Sequence, residues 1–492
     1  MRKNNKRRTD KIEVIANQTN LFSYTGLIPF FTFCERSGFF RLFDARFPEP
    51  GTDGYPPSDI IKTLWTAIII SEGRFHLSII DMFRETPAFL YALKMCDIPS
   101  ASAVGDFIKR MARAKIPKRN RKSKKEELVN GIDIIQNIFY EVTKEIMKQM
   151  RSVLNGIIDY DASVIEENKQ YSKKMYTGEY GTMGYFAFMG RICIMPELEP
   201  GNHSPGDKAD RRTISCIEFC WKTGIKVKKM RADAASYIAN LFNFCNKKKY
   251  KKIEFYIRAV SSNALKQSIE TVVHYFGAGW KKEKIRQAKK IEGKEIIIGE
   301  ATHCMDKTDD PFRLICEKKE KNVATEEVDL FGPVIKTIRS FWSVATNDYN
   351  SSPTKVLETY NGRQYESEHG NQRLKSEFHI GSLPFRGKDG LLPNRAFCYL
   401  CAMLHNVFEF YKYECLPKID WVKKLPTIRN EKIKIPAKIT TTAAILKIEL
   451  PGYAIETCKW LNAMITVLRK FRRKIKITKI APEYTELIYR RI

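Results

Sequence analysis

Two aspartates stand where a chain could do phosphoryl chemistry. Asp161, in DYDAS, and Asp233, in RADAAS, each sit at a predicted strand end, with small residues following. Small neighbours leave room for an ion or a substrate backbone. Carboxylates at the ends of adjacent strands converge in an α/β sheet, and a third acid from a helix packed on that sheet would complete an oxygen site for hard divalent cations. Two such ions, roughly 3.5–4 Å apart, can activate a water or a 3′-hydroxyl and stabilise the leaving oxygen of a phosphodiester. The third acid is sought in YNGRQYESEHGNQRLKSEF, residues 360–378. Glu368 and Lys375 are seven residues apart, two helical turns and nearly one face. Glu366 and Arg373 share that spacing, and Asp159 shares the strand face of Asp161. A solvated helix face is the plainer reading of so mixed a stretch.

The elements needed to position these groups are legible. Residues 20–112 and 128–150 have helical periodicity. Ser100 is placed to cap a helix whose apolar residues Val104, Phe107, Ile108 and Met111 fall at i, i+3, i+4 and i+7. With a short helix before it and a turn at 97–99, this would be a helix-turn-helix reading DNA through Arg110. A plain bundle with a basic rim fits the same pattern. Residues 113–125 read as a basic linker, with Lys118, Arg119, Arg121 and Lys122 able to track phosphates. From residue 153 the period changes. VLNGIIDYDASVIEE and GYFAFMGRICIMPEL read as two strands, GIKVKKMRADAAS as a third and KKIEFYIRAV as a fourth. Helices alternate with them, so the class is α/β with mixed strand order. Residues 261–345 read as a β-rich unit of successive strands.

The chain of 492 residues carries 85 lysines and arginines against 56 acids, a formal charge of +29. Self-repulsion opposes the compact state, so this excess suits a polyanionic partner, with nucleic acid leading and an anionic membrane surface second. Hydrophobic content of 43% excludes a disordered basic tail. No apolar run approaches the roughly 18 residues of a membrane span. Twelve scattered cysteines and no secretory signal indicate reduced intracellular thiols. Cys398, Cys401 and His405 have zinc-like spacing, with Cys216 and Cys220 available, but they lie in an apolar helical pattern where cysteine is an ordinary core residue.

Several stretches, in order, resemble the DDE transposases of bacterial insertion sequences. IIDYDAS resembles the first-aspartate strand, YTGEYGTMGYFAFMG the Gly-Tyr strand after it, and PGNHSPG the following Gly-Asn turn. MRADAAS resembles the second-aspartate strand, VATND the Thr-Asn strand end after the insertion, and LPNRAFCYLCAMLHNVFEF the closing helix with its two asparagines, Asn394 and Asn406. The resemblance covers about 150–412, with a weaker likeness over 20–112. The group's signature of Tyr, two residues, Arg, three residues, Glu, six residues, Lys is met by Tyr360, Arg363, Glu368 and Lys375, except that four residues separate Arg363 from Glu368. A one-residue bulge would absorb the extra position.

The resemblance implies a ribonuclease-H-like core interrupted by a β-rich insertion before the final acid. It implies Asp161, Asp233 and Glu368 as catalytic ligands to two Mg²⁺ or Mn²⁺ ions, and Tyr360, Arg363 and Lys375 as phosphate-gripping residues. The expected domains are a basic arm at 1–19, a helical DNA-binding region at 20–150, the core at 151–260 and 346–415, the β-rich insertion at 261–345, and a basic C-terminal region at 416–492. The implied partners are double-stranded DNA, at transposon ends and target, and a second copy of the chain in the DNA complex. The implied setting is cytoplasmic and nucleoid-associated, without membrane. A DNA-binding derivative that no longer cuts, or a metal-dependent nuclease without strand transfer, fits the same residues.

Overall fold

The computed structural model describes residues 21–47, 54–119, 126–247, 252–260, 280–285, 294–329, 332–363, 369–441, 446–452 and 454–471, with a few positions between 265 and 269. The basic arm, Arg121, Lys122, Glu366, Glu368 and the bases beyond 471 lie outside them.

The protein is mixed α/β. Strands β4 (Ile157–Glu166), β6 (Tyr180–Met189) and β7 (Ile192–Pro200) run antiparallel in sequence, and β8 (Lys229–Ala232) and β9 (Glu254–Arg258) continue parallel to β4 on its other side. The spatial order is therefore β7-β6-β4-β8-β9. The two-residue strand β5 (Lys173–Lys174) also pairs with β6. GYFAFMGRICIMPEL, read above as one strand, is a hairpin. Gly190, with φ 58°, occupies the backbone region that a tight strand reversal requires.

The β-rich segment is also joined more closely than expected. Strands β10 (Lys281–Ile285), β11 (Lys294–His303), β12 (Phe312–Asp329) and β13 (Gly332–Thr346) form an antiparallel ladder, and β13 pairs with β9. The segment thus extends the same sheet, to ten strands. The expected linker is partly structured too: β2 (Lys115–Arg119) pairs antiparallel with β3 (Glu126–Asn130). Their register sets Lys118 opposite Glu127 and Arg119 opposite Glu126.

Helices α1 (Leu27–Ser37), α2 (Phe39–Arg46), α3 (Pro57–Ile70), α4 (Ile79–Arg84), α5 (Pro87–Leu93), α6 (Ala101–Arg113) and α7 (Gly131–Gln149) precede the sheet. Helices α8 (Ala209–Lys222) and α9 (Ala239–Asn246) contact β4 and β9. After the ladder come α10 (Pro353–Arg363) and the 25-residue α11 (Leu391–Cys415). Buried along almost its whole length, α11 packs on β7 and on α1, α3, α6 and α7, so it joins the sheet to the N-terminal helices. Asn406 is the tie: its Oδ1 accepts from the Cys193 amide at 2.9 Å, and its Nδ2 donates to Cys193 O at 2.7 Å and to Thr143 Oγ1 at 3.0 Å.

The end of the described chain returns to its beginning. β14 (Ala437–Thr441) pairs with β1 (Leu21–Phe22) and with β15 (Leu446–Glu449). Helix α12 (Ile455–Lys470) packs on α1, and Arg36 donates to the Leu468 carbonyl. All twelve cysteines are free thiols. No described helix is long and apolar enough to cross a membrane.

Candidate active site

Parallel register brings the two aspartates together. On β4 and β8, Asp159 is opposite Arg231 and Tyr160 opposite Ala232. One step further, Asp161 and Asp233 follow on the two neighbouring chains. Side chains alternate along a strand, so Asp161 and Asp233 take the same face as the Asp159–Arg231 pair. That pair is closed. The Arg231 guanidinium grips Asp159 through Nε at 2.6 Å and Nη2 at 2.7 Å, and donates from Nη1 to Thr359 O at 3.0 Å. Asp159 is 0% exposed. Two residues on, Asp161 lies inside β4 rather than at the strand end the sequence suggested, one residue past the last β4 residue paired with β8, and its side chain retains 15% exposure. Asp233 caps a short 3₁₀ turn by accepting from the Ala235 amide at 3.1 Å. Burial pushes its carboxyl above the usual range, against the pull of the Arg363 charge.

The signature stretch supplies the opposite wall. Arg231, holding the Thr359 carbonyl, anchors α10, and Arg363 follows one turn later at the helix end. Its Nη2 pairs with Asp161 Oδ1. Gly362 leaves room for this crossing: a Cβ there would lie 2.7 Å from Arg231 Nη1 and would push the guanidinium aside. Tyr360 is largely buried, in a small apolar cluster with Tyr256, Val344 and Val356, edge-on to Trp342 at 5.2 Å. Packing is thus part of its role.

Past the residues outside the description, helix His369–Gln372 runs into a π turn at Arg373–Glu377. The bulge expected between Arg363 and Glu368 falls on undescribed residues, but this second irregularity carries Lys375. Lys375 Nζ donates to Val164 O on β4 at 2.7 Å, and burial lowers its pKa despite the nearby Asp161 and Glu166 charges. The two weak helix formers of this stretch also have reasons. A Cβ on Gly370 would lie 2.9 Å from the Phe188 ring of β6, so glycine lets the helix approach the sheet. Asn371 donates from Nδ2 to Asp161 Oδ2 at 2.5 Å and is 5% exposed. Sequence reasoning passed over Asn371 as a site residue. Its spacing of three residues from Glu368 in the sequence, that of a shared face in a helical pattern, was the available signal.

The remaining site expectations fall elsewhere. Ser100 Oγ caps α6 by accepting from the Ala103 amide at 3.1 Å, and the Val104, Phe107, Ile108 and Met111 stripe is buried. The exposed edge of α6 carries Lys109, Arg110 and Arg113. Lys118 and Arg119 lie on β2. Asn394 binds the Phe385 backbone and Tyr171 within the core. Cys398, Cys401, His405, Cys216 and Cys220 are buried, and His405 Nε2 meets Arg191 O at 2.9 Å. Burial drives the His405 pKa down to about 4. Among the described residues, no group of three or more His, Cys, Asp or Glu is arranged to hold a metal ion. The aspartate site contributes two carboxylates to that description, with Glu368 outside it.

No protein-family model matches the chain, and no curated protein matches it. Among solved structures it is similar to a piggyBac transposase synaptic complex with hairpin DNA, at a TM-score of 0.37 and 11% identity, over 96% of this chain and 87% of that one.

Proposed function

We propose that this protein is a DDE transposase, with a ribonuclease-H-like core and a strand-rich insertion. It cuts DNA at the ends of its own insertion sequence and joins the freed 3′-ends to target DNA. The observation that carries this reading is Asp161 on β4 beside Asp233, which directly follows the parallel strand β8, with Arg363 and Asn371 brought onto Asp161 from the far side of the inserted strands. The β7-β6-β4-β8-β9 order supports it, since three antiparallel strands followed by two parallel ones is the order of a ribonuclease-H-like sheet.

The donors fit a hard divalent cation: carboxylate oxygens from two strands, an amide from the helix and a further carboxylate available at Glu368. Asp161, Asp233 and Glu368 would hold Mg²⁺ or Mn²⁺, which when bound supplies charge stabilisation at the phosphodiester and acidifies a water or 3′-hydroxyl. Around it, Arg363 and Lys375 offer charge-assisted donors to backbone phosphates. Lys375 has three N–H donors and can keep its Val164 contact while taking a phosphate. Asn371 fixes the orientation of Asp161. The exposed bases of α6 would meet DNA outside the site, together with Lys118 and Arg119 of β2.

The test is incubation of the full chain with the DNA flanking its gene, a target plasmid and Mg²⁺, with end mapping of the products. Cleaved termini bearing 3′-hydroxyls, and their joining to the plasmid, are expected. Binding without any cut in Mg²⁺ or Mn²⁺ would replace the proposal with a non-cutting DNA-binding protein. Cuts with no joined product would replace it with a nuclease.

A further inference from the structure

The Asp161 carboxylate is engaged from two directions. Arg363 takes Oδ1 and Asn371 takes Oδ2 at 2.5 Å. The Arg363 guanidinium also acts electrostatically on Asp233, where it is the largest influence opposing burial. One cation thus serves both carboxylates of the candidate site, from a side chain that is itself 9% exposed. The contrast with the neighbouring pair is informative. Asp159 and Arg231 are both sealed, Arg231 has a third acceptor in Thr359 O, and the pair ties β4, β8 and α10 together. Arg363 instead closes on the carboxylate that keeps an open side, from the last residue of a helix.

We propose that Arg363 is an internal counter-ion that occupies the cation position of Asp161 in the DNA-free protein. A divalent ion and the guanidinium then exclude one another at Asp161. Like charges at contact distance repel strongly in a partly buried site, and the Oδ1 lone pairs that Arg363 takes are those a cation needs. A DNA phosphate held at the site would offer Arg363 a competing bidentate acceptor. Engaging it draws the guanidinium off Asp161 and opens the carboxylate. Ion loading is thereby coupled to DNA, and because coupling between two ligands is reciprocal, each favours the other. This rests on the metal-site reading above and adds to it a residue that keeps the site closed until DNA arrives.

The experiment is a Mn²⁺ titration of the full chain without DNA, following free Mn²⁺ by electron paramagnetic resonance. The parent, Arg363→Gln, Arg363→Lys and the double variant Arg363→Gln with Asp161→Asn are compared. Arg363→Gln should bind Mn²⁺ about tenfold or more tighter than the parent, since removing a neighbouring positive charge favours a cation. Arg363→Lys should stay near the parent, and the double variant should lose the gain. A second reading uses the parent protein and does not depend on any variant folding. Phenylglyoxal should modify Arg363 slowly without metal and faster at saturating Mn²⁺, scored by peptide mapping. Equal Asp161-dependent Mn²⁺ affinity in the parent and Arg363→Gln, or an unchanged modification rate, would overturn the counter-ion role and leave the metal site standing. Absence of Asp161-dependent Mn²⁺ binding in every protein would remove both.

Discussion

Asp159 and Asp161 lie two residues apart on one strand face, and their surroundings separate them. Asp159 is fully buried in a bidentate pair, so Asp159→Ala leaves Arg231 charged without its partner in the interior. Breaking such a pair from one side costs about 3–5 kcal/mol. Urea unfolding should show that loss, and a variant as stable as the parent would mean Arg231 has another route to solvent. Asp161→Ala should lose less stability, because the removed carboxylate is 15% exposed and Arg363 keeps the attraction of Asp233. It should instead abolish strand cleavage, as should Asp233→Ala and Glu368→Ala, with DNA binding kept or slightly tighter as negative charge leaves the phosphates. Glu366→Ala should cut normally. An inactive Glu366→Ala beside an active Glu368→Ala would shift the third acid by two residues. Asp233 yields a pH prediction. Burial raises its folded-state pKa above the unfolded value, so the native state holds that proton more tightly and stability falls as pH rises through this window. Asp233→Asn can still accept from the Ala235 amide. It should therefore melt higher than the parent at pH 7, with the gain shrinking toward about pH 4, where the unfolded carboxyl is itself half-protonated. An equal or lower melting temperature at pH 7 would show that the Arg363 attraction outweighs burial.

The segment 369–377 shows an element shaped by what it touches. Gly370 and Asn371 are poor helix formers, by up to about 1 kcal/mol each against alanine. Tertiary contacts offset this: Gly370 abuts the buried Phe188 ring and Asn371 binds Asp161. Gly370→Ala improves local propensity but brings a Cβ to 2.9 Å from a ring that is 0% exposed. Overpacking of that kind costs about 1–3 kcal/mol. The variant should therefore melt lower than the parent, whereas Gly387→Ala, whose Cβ meets nothing within 4 Å, should stay within about 0.5 kcal/mol. A stabilised Gly370→Ala would show that this helix can slide on the sheet without loss.

At the scale of the whole molecule, the formal charge of +29 would govern encounter with DNA under the proposed function. Each neutralised phosphate steepens the salt dependence of binding, with a slope of roughly 0.9 per contact. Replacing Lys118, Arg119, Arg121 and Lys122 together by alanine should flatten log K against log salt, and an unchanged slope would take the hairpin off the DNA path. Arg110→Ala on α6 should weaken binding to the terminal repeat more than to random duplex. Equal losses would mark a phosphate contact without sequence reading. These surfaces belong to one packed body. The β14 strand and helix α12 dock on β1 and α1, and α11 spans from the N-terminal helices to the sheet, so these described elements are structurally continuous.

What the sequence by itself determined is local. Period-two runs marked β4, β8 and β9, the small residues after Asp233 marked the end of β8, and Ser100 with its i, i+3, i+4, i+7 stripe marked α6. These signals survive because they depend on nearest neighbours and on one buried face. Tertiary structure decided what needs a partner from far along the chain. It separated Asp161 from Asp159 by placing Arg231 beside only one of them, and gave Asn371 and Gly370 their reasons through Asp161 and Phe188. It made one apparent strand a hairpin at Gly190, extended the sheet through β13, and returned the described C-terminal strands and helix to the first strand and helix. Strand register, helix-to-sheet approach and the choice of counter-ion are long-range pairings, and composition and periodicity carry no record of them.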